Sequence, residues 1–447
     1  MQASQLKVVL SVAILVAGLS LTVACITSET TEPGSGVVID FGDRETSYTE
    51  VDVSEHSDPL SILDFACHYH GYELVTDGDE VVSIDGRSDG RWAFYGVPIG
   101  SMEWSEIGDA SFFEADGYII LCWALSDDST LPSPAVDSTG VCFYGQGIPT
   151  RVVSLAPSCT ETIAAAGGLD SIVATDQYSN YPSEIVDLRN SGKISTVGGF
   201  TNPSYEMILK ASPDLVVCID SQNAHVQTAE KLRQHGINVL VISGGEERDI
   251  LMDNIFMVGV VMGTQDSTNI TIDTIEGQID QVEEIVEDGD NVWDKRVMVA
   301  LSAVKSPWVS GSDTYISDVM SGIRLVNIYS SESGWVQVNA ETILQYDPEY
   351  IIIVSSDYKA TQSNYDSMLA SMSTEWKATS AYKSGNIYLF CDDACDLVSR
   401  PGPRVAQITE LFARTMQGSA FDDGITVSKF VGDEYRDYLT ISKEGSI

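Results

Sequence analysis

Glu206-Met-Ile-Leu-Lys-Ala-Ser-Pro-Asp-Leu-Val-Val217 has a counterpart further along the chain, Glu341-Thr-Ile-Leu-Gln-Tyr-Asp-Pro-Glu-Tyr-Ile-Ile352. In both, Glu opens the stretch, Ile-Leu follows, then a Pro, an acid directly after it, and an aliphatic run. Proline cannot continue a helix and pushes the residue before it into extended backbone. The aliphatic run suits a strand covered on both faces. Each copy therefore reads as a short helix, a stop and a buried parallel strand. One copy is common in α/β proteins; two with the same leading Glu point to two lobes of similar build.

Around the first copy, Arg151-Val-Val-Ser-Leu-Ala-Pro-Ser-Cys-Thr-Glu161 reads as a strand and its loop, followed by a helix from Thr160 to Gly168. Ile172-Val-Ala-Thr-Asp-Gln-Tyr-Ser-Asn-Tyr-Pro182 is a second strand and loop, and Asn238-Val-Leu-Val-Ile242 a further strand behind a helix near Val226 to His235. Strands alternating with helices predict a parallel sheet with both faces covered. This first lobe spans 151–249. In 250–290, Ile272, Ile275, Ile279, Val282, Ile285 and Val286 recur at helical spacing. The expectation is one long interlobe helix, with a dimerisation seam as the other reading. Residues 291–447 form the second lobe and tail, with strands at Arg296–Leu301 and Asn386–Phe390 and a closing helix from about Arg404 to Met416.

The N-terminus carries its own signal. Lys7 precedes a small and apolar run from Val8 to Ala24, then Cys25. This is an export leader over 1–24. Cys25 is the expected lipid anchor, and an uncleaved membrane helix is the alternative. Residues 25–36 are a polar linker. Either way the body lies outside the cytoplasm, tethered to the outer face of its membrane. Sixty-six acidic residues against 24 basic ones give a net charge of −42. That excludes nucleic acid and anionic lipid as partners by charge. Beyond Cys25, the cysteines are Cys67, Cys122, Cys142, Cys159, Cys218, Cys391 and Cys395. Cys391 and Cys395 are the nearest pair and candidates for a loop-bridging disulfide. No zinc spacing is present.

Residues 37–145 read as a β-rich α+β domain. Ser57 or Asp58 caps a helix that Gly71 ends, with Pro59 in its first turn. Strands are expected at Gly36–Gly42, Tyr48–Val53, Val81–Gly86, Trp92–Tyr95, Gly117–Trp123 and Val141–Tyr144, the last leading into a linker. His68 and His70 sit two apart on the helix, a spacing that does not bring them together. Asp40-Phe-Gly42, Leu63 to Gly71, Ser83-Ile-Asp-Gly86, Gly90-Arg-Trp-Ala-Phe-Tyr95 and Asp116 to Trp123 resemble the transcobalamin-like C-terminal domain. That resemblance implies either a direct corrinoid contact, with Trp92, Phe94 and Tyr95 stacking on it, or an accessory module in which those aromatics are core.

The larger part of the chain resembles the substrate-binding proteins of ABC importers for metal chelates. The motifs that carry it are Arg151 to Glu161, Tyr178-Ser-Asn-Tyr-Pro182, Glu206 to Val217, Trp308-Val-Ser-Gly311, Trp335-Val-Gln-Val-Asn-Ala-Glu341 and Ser399-Arg-Pro-Gly-Pro-Arg404. The resemblance implies two Rossmann-like lobes joined by one long helix, with the ligand between them. Ligands of open α/β sheets sit beyond the carboxyl ends of the strands. Ser158, Tyr178, Tyr181, Phe200, Ser221, Trp308, Trp335 and Arg400 are the candidate ligand residues there. A broad, flat amphipathic chelate is well buried by aromatic faces. Glu206 and Glu341 are implied to dock on arginines of the two permease subunits. Two modules that resemble cobalamin-handling domains favour a corrinoid, with a ferric siderophore or haem as alternatives. A surface adhesion or scaffold protein with a vestigial cleft is the reading from another class. No nucleophile elbow, Walker loop or paired-His motif supports an enzyme.

Overall fold

The computed structural model describes residues 35–443 apart from 42–45, 52, 54–57, 89, 99–103, 109–112, 114–116, 126–130, 132–133, 144–146, 246 and 290–291. The expected leader and the Cys25 anchor lie outside the described residues, and none of the described helices is long and apolar enough to cross a membrane.

The first domain is a five-stranded sheet. Its strands are β1 (Gly36–Asp40), β2 (Thr46–Glu50), β5 (Trp92–Pro98), β6 (Ser105–Glu106) and β7 (Tyr118–Leu125), in the order β2-β1-β7-β5-β6. A separate hairpin joins β3 (Leu74–Asp77) and β4 (Glu80–Ile84). Helix α1 (Pro59–His70) is capped by Asp58, whose carboxylate accepts from Leu60 N at 3.1 Å, and stops at left-handed Gly71. It buries Ile62, Leu63, Ala66 and Cys67 against one sheet face. Trp92 and Phe94 are core residues: Phe94 stacks on Trp123 at 4.3 Å and Trp92 meets Phe41 edge-on. His70 bonds Thr49 and the Tyr48 carbonyl, while His68 faces solvent.

Among its described residues, the stretch read as a last strand and linker forms an isolated bridge, Val136 with Cys142, and it is clamped to the first lobe. Buried Asp137 accepts from Thr139 N, Thr139 Oγ1 and Val141 N on one oxygen, and from Arg233 and Val241 N on the other. The backbone N–H and hydroxyl of Ser138 both donate to the Val241 carbonyl. Val241 belongs to the edge strand of the first lobe, so this segment covers an edge that would otherwise be open to pairing.

In the first lobe β8 (Val152–Ser154), β9 (Ile172–Thr175), β10 (Ser195–Thr196), β13 (Leu215–Ile219) and β14 (Asn238–Ile242) form an all-parallel sheet, order β10-β9-β8-β13-β14. Between them lie α2 (Pro157–Ala165), α3 (Ser183–Asn190), the short ribbon β11 (Gly198–Gly199) with β12 (Asn202–Pro203), α4 (Tyr205–Ala211) and α5 (Asn223–Arg233). The loop expected at Pro157–Thr160 is the first turn of α2, with Pro157 where its missing N–H costs nothing. In the second lobe, β15 (Lys295–Ala300), β17 (Leu325–Asn327), β19 (Tyr350–Val354), β20 (Ile387–Phe390) and β21 (Phe430–Val431) run parallel. An antiparallel ribbon of β16 (Trp308–Ser310) and β18 (Trp335–Gln337) extends the sheet. Its main helices are α8 (Tyr315–Gly322), α9 (Ala340–Tyr346), α10 (Gln362–Ser371), α11 (Thr374–Ala378), α12 (Ser380–Lys383), α13 (Asp392–Ser399) and α14 (Val405–Met416).

The repeat that predicts matched lobes is matched atom for atom at several points. Ser204 and Asn339 cap α4 and α9, accepting from Met207 N and Thr342 N. Both helices end on a left-handed residue, Ser212 (φ 50°) and Asp347 (φ 44°), instead of the extended backbone expected ahead of Pro213 and Pro348. The acid after the Pro also has a role. Asp214 accepts from Arg151 N at 2.8 Å, and Glu349 from Arg296 N at 3.0 Å. The same arginines reach back to the last carbonyls, Arg151 Nε to Ser212 O at 2.8 Å and Arg296 Nη2 to Asp347 O at 2.7 Å. Each lobe thus ties the start of its first strand to the end of its repeat helix, α4 or α9.

The helical passage between the lobes is made of two helices, α6 (Arg248–Met262) and α7 (Gln265–Asp288), rather than the single span expected over 250–290. Gly263 breaks it: its φ is +68°, and a Cβ there would lie 2.9 Å from Ile148. The 24-residue α7 is the long member, burying Ile275, Ile279, Val282 and Val286. One apolar cluster runs without a break from Val152 and Leu240 through Ile275 to Val297 and Leu411. Lobes sharing a core in this way are restrained to small relative motions.

The seven described cysteines are free and buried. Cys391 and Cys395 do not form the expected bridge. Cys395 lies on α13, whose N-cap is Cys391, and the Cys391 thiol lies against the Val431 carbonyl at 3.5 Å. Burial pushes these thiols up to about 12 and about 11, so both stay protonated.

Candidate functional site

The strand order of the first lobe reverses between β8 and β13, and a crevice opens beyond their carboxyl ends. The second lobe closes its other side, leaving a cleft of about 1080 Å³. Ser158 enters it after β8, Tyr178 after β9, Ser221 after β13, and Trp335 and Arg400 from the second lobe. Phe200 joins them from the ribbon ahead of α4. Six of the eight candidate ligand residues therefore line one cavity.

Tyr181 and Trp308 do not. Tyr181 is sandwiched between guanidinium groups, with Arg404 4.3 Å and Arg436 5.5 Å from its ring centroid. Trp308 pairs with Gln337 in the β16–β18 ribbon, away from the Ser310–Trp335 end that meets the cleft. It shares a ribbon face with Ser310 and Trp335 but stands at the opposite end of the strand, where it is 49 % exposed.

The Tyr178 loop is held from three sides. Asp176 accepts from Tyr178 N at 2.6 Å and from the Ser179 hydroxyl. Arg189 donates to Thr175 Oγ1 at 3.0 Å, Ser179 O at 2.5 Å, and the Asp176 and Gln177 carbonyls at 3.3 Å. Burial raises the Asp176 carboxyl pKa, partly offset by its hydrogen bonds and by Arg400 and Arg189. Tyr178 itself is 55 % exposed. Phe200 is backed by buried His225, whose ring lies edge-on at 5.3 Å and whose Nε2 donates to Phe200 O at 2.8 Å. His225 Nδ1 is then left to accept from Ile219 N at 3.5 Å. Burial lowers the His225 pKa, opposed by the bond to Phe200. His235, just beyond the end of the same helix, is exposed.

Residues outside the candidate set join the lobes at the back of the cleft. Glu161, on α2 of the first lobe, is fully buried. Arg404 of the second lobe clasps it with two bonds of 2.7 Å, and Arg400 adds a third at 3.3 Å. Arg400 also pairs with Asp396 at 2.8 Å and donates to Asn180 Oδ1 at 2.5 Å and Tyr178 O at 3.3 Å. Asn180 in turn donates to Asp396 at 2.8 Å. Burial disfavours the Arg404 charge, but Glu161 more than compensates and raises its pKa. The signal that could have found Glu161 is a lone carboxylate inside the otherwise uncharged α2.

Both cationic side chains at the cleft, Arg189 and Arg400, are thus engaged with protein acceptors. The rest of the polar lining is neutral to a large extent, with Ser158, Gln177, Asn180, Thr201, Ser221 and Ser356. Asp313 and Asp396 are the acids there. Glu206 and Glu341 lie outside the cleft and exposed, each at the second position of its helix.

Comparison with known proteins agrees with this architecture. The family model described as periplasmic binding protein matches residues 152–394. The uncharacterized ABC transporter substrate-binding lipoprotein YvrC of Bacillus subtilis is 25% identical over 276 residues, 62% of this chain and 82% of that protein. The vitamin B12-binding protein of Pectobacterium carotovorum is 25% identical over 266 residues, covering 59% and 87%. A periplasmic heme binding protein from Pseudomonas aeruginosa superposes with a TM-score of 0.53 at 17% identity, over 63% of this chain and all of that one (100%). With the matched stretch running from the first strand of one lobe into α13 of the other, and the cleft lying between them, the chain belongs to the periplasmic binding protein family.

Proposed function

We propose that this protein captures a corrinoid in the interlobe cleft, outside the cytoplasm, and delivers it to an ABC importer. The observation that carries the choice of ligand is the state of the cleft's cations. A haem brings two propionates and a catecholate siderophore brings several negative charges, and either needs free guanidinium or ammonium groups. Here Arg189 is spent on the Tyr178 loop and Arg400 on Glu161 and Asp396. No His among the described residues lines the cleft, so an axial ligand for haem iron would have to come from a tyrosine such as Tyr178. What the lining offers is aromatic surface from Tyr178, Phe200 and Trp335 with neutral hydroxyl and amide groups. That combination suits a large ring edged with amides.

Delivery rests on Glu206 and Glu341, proposed to meet arginines of the two permease subunits, one carboxylate per lobe. Cys25 is proposed as the lipid-bearing residue that keeps the protein at the membrane. The first domain is proposed as an accessory module of transcobalamin-like type rather than a second ligand contact, because its described residues do not line the cleft and Trp92 and Phe94 are core.

Calorimetric titration with cyanocobalamin, cobinamide, haem and a ferric hydroxamate tests the ligand. Binding of cyanocobalamin or cobinamide with the other two silent is the expected result. Silence from both corrinoids overturns the reading, and heat from haem or the hydroxamate alone replaces it with the corresponding relative.

A further inference from the structure

The surface around the two docking carboxylates carries more than charge. Neither Glu206 nor Glu341 has an ion-pair partner among the described residues. One turn beyond them stand Leu209 and Leu344, each 37 % exposed. Residues three apart share a helix face, so each carboxylate has a leucine beside it. A single exposed leucine is ordinary. A leucine at the same exposure, in a seven-residue helix with a side-chain N-cap and a left-handed terminating residue, recurs in both lobes.

The second lobe adds an indole. Trp308 sits directly across the ribbon from exposed Gln337, and directly opposed residues share one ribbon face. Val338 N donates to Pro307 O at 3.0 Å and Gln337 Nε2 to Ser306 O at 3.1 Å, and the next residue, Asn339, caps α9. Trp308 is therefore placed across the ribbon from a residue three positions ahead of α9, the helix that carries Glu341 and Leu344. The strands of the corresponding first-lobe ribbon, Gly198–Gly199 and Asn202–Pro203, carry no aromatic, and Phe200 in its turn lines the cleft instead.

We propose that Leu209, Leu344 and Trp308 are the apolar half of the docking surface, which rests on the docking reading of Glu206 and Glu341 above. The partner is the membrane-embedded permease pair, presenting two like sockets, each with a guanidinium beside an apolar hollow. The hollow under the second lobe is larger, to take the indole. Charge argues for a protein occupant over bare lipid. A carboxylate beside each leucine would have to enter the interface unpaired at a bilayer, whereas a cationic socket compensates it. The net charge of −42 further repels anionic headgroups.

The test measures docking of the full chain on the importer's permease–ATPase complex in lipid nanodiscs, alongside cyanocobalamin affinity by calorimetry and far-UV circular dichroism. L209A/L344A should weaken docking on the order of tenfold, and W308A by a similar factor, from the apolar area no longer buried. Cyanocobalamin affinity and the dichroism spectrum should not change, since none of the three lines the cleft. L209K/L344K should weaken docking further than the alanine pair. If only E206Q/E341Q loses docking, the apolar surface is refuted and the docking reading stands. If no variant loses docking, both fall. Binding of the unaltered chain to permease-free nanodiscs that the Leu and Trp changes abolish would assign the surface to lipid and overturn the proposal.

Discussion

Replacing Glu161 by Ala tests whether one buried carboxylate holds the two lobes together. In the native arrangement it answers three guanidinium contacts from the second lobe. After the change Arg400 keeps Asp396 and Asn180. Arg404, whose side chain is 4 % exposed, keeps only the Tyr435 hydroxyl at 3.5 Å and the Tyr181 ring. The loss is therefore concentrated on Arg404, and stranding a buried charge destabilises by about 3–5 kcal/mol. Glu161→Gln retains an acceptor without the charge and should lie lower, at roughly 2 kcal/mol. Removing both charges with E161M/R404M should recover much of the loss, because an apolar pair of similar volume is close to neutral in such sites. Urea unfolding followed by tryptophan fluorescence and circular dichroism gives the cycle. A coupling energy of about 2 kcal/mol or more is expected, whereas additive single changes within ~0.5 kcal/mol would refute the idea of a latch. An E161A protein as stable as the native one would do the same.

Phe200→Ala and Trp335→Ala should each weaken cyanocobalamin binding by about tenfold or more through lost aromatic area, while Trp308→Ala leaves it unchanged; calorimetry showing the reverse order would relocate the site. The neutral imidazole of His225 predicts a pH effect of definite sign. Its folded pKa lies below the unfolded value of about 6.5, so no penalty exists above that pH, and stability falls as pH drops through it until the folded group also protonates. Protonation deprives Ile219 N–H of its acceptor and loosens the backing of Phe200. Urea midpoints at falling pH should therefore separate native protein from His225→Gln, and parallel curves would dismiss the role. Asp137→Ala removes a carboxylate with donors on both oxygens and leaves Arg233 short of its partner, at a loss of roughly 3 kcal/mol. Amide exchange at Val241 should accelerate with ligand affinity unchanged; undisturbed protection there would show that the first domain is held by other contacts.

Much of the architecture was legible because it is local and duplicated. Helix caps, proline stops and aliphatic strands are written in neighbouring residues, and the second copy of Glu206 to Val217 turned a common pattern into evidence for two lobes. The break at Gly263 was less visible, since an apolar helical period continues on both sides of it and the deciding fact is the contact with Ile148. The cleft was legible only in part. Loops after strands pointed to Ser158, Tyr178, Phe200, Ser221, Trp335 and Arg400. The same rule misplaced Trp308, because the Trp308–Ser310 strand is antiparallel and three residues long, and its two ends face different surroundings. Tyr181 differs from Tyr178 by three residues, yet its ring turns to Arg404 and Arg436 rather than to the cavity.

The polar chemistry of the site was the least legible, for a physical reason. Arg400 reads from the sequence as a free cation offered to a ligand, and its value depends entirely on what lies opposite. Its partners are Asp396 four residues away, but also Asn180 and Glu161 on the other lobe. Pairing across 220 or more positions leaves no periodic trace in one sequence, and it inverts the inference: a ligand anion gains little from a guanidinium already neutralised by carboxylates. The same residues that deny the cleft a free cation also fix the distance between its walls. Under the corrinoid reading proposed above, one network would serve both ligand selectivity and restraint of the lobes: removing Asp396 leaves Arg400 with Glu161 as its remaining carboxylate partner among the described residues, so D396N should raise affinity for haem in calorimetry and loosen the Tyr178 loop together, and unchanged haem affinity would refute the link.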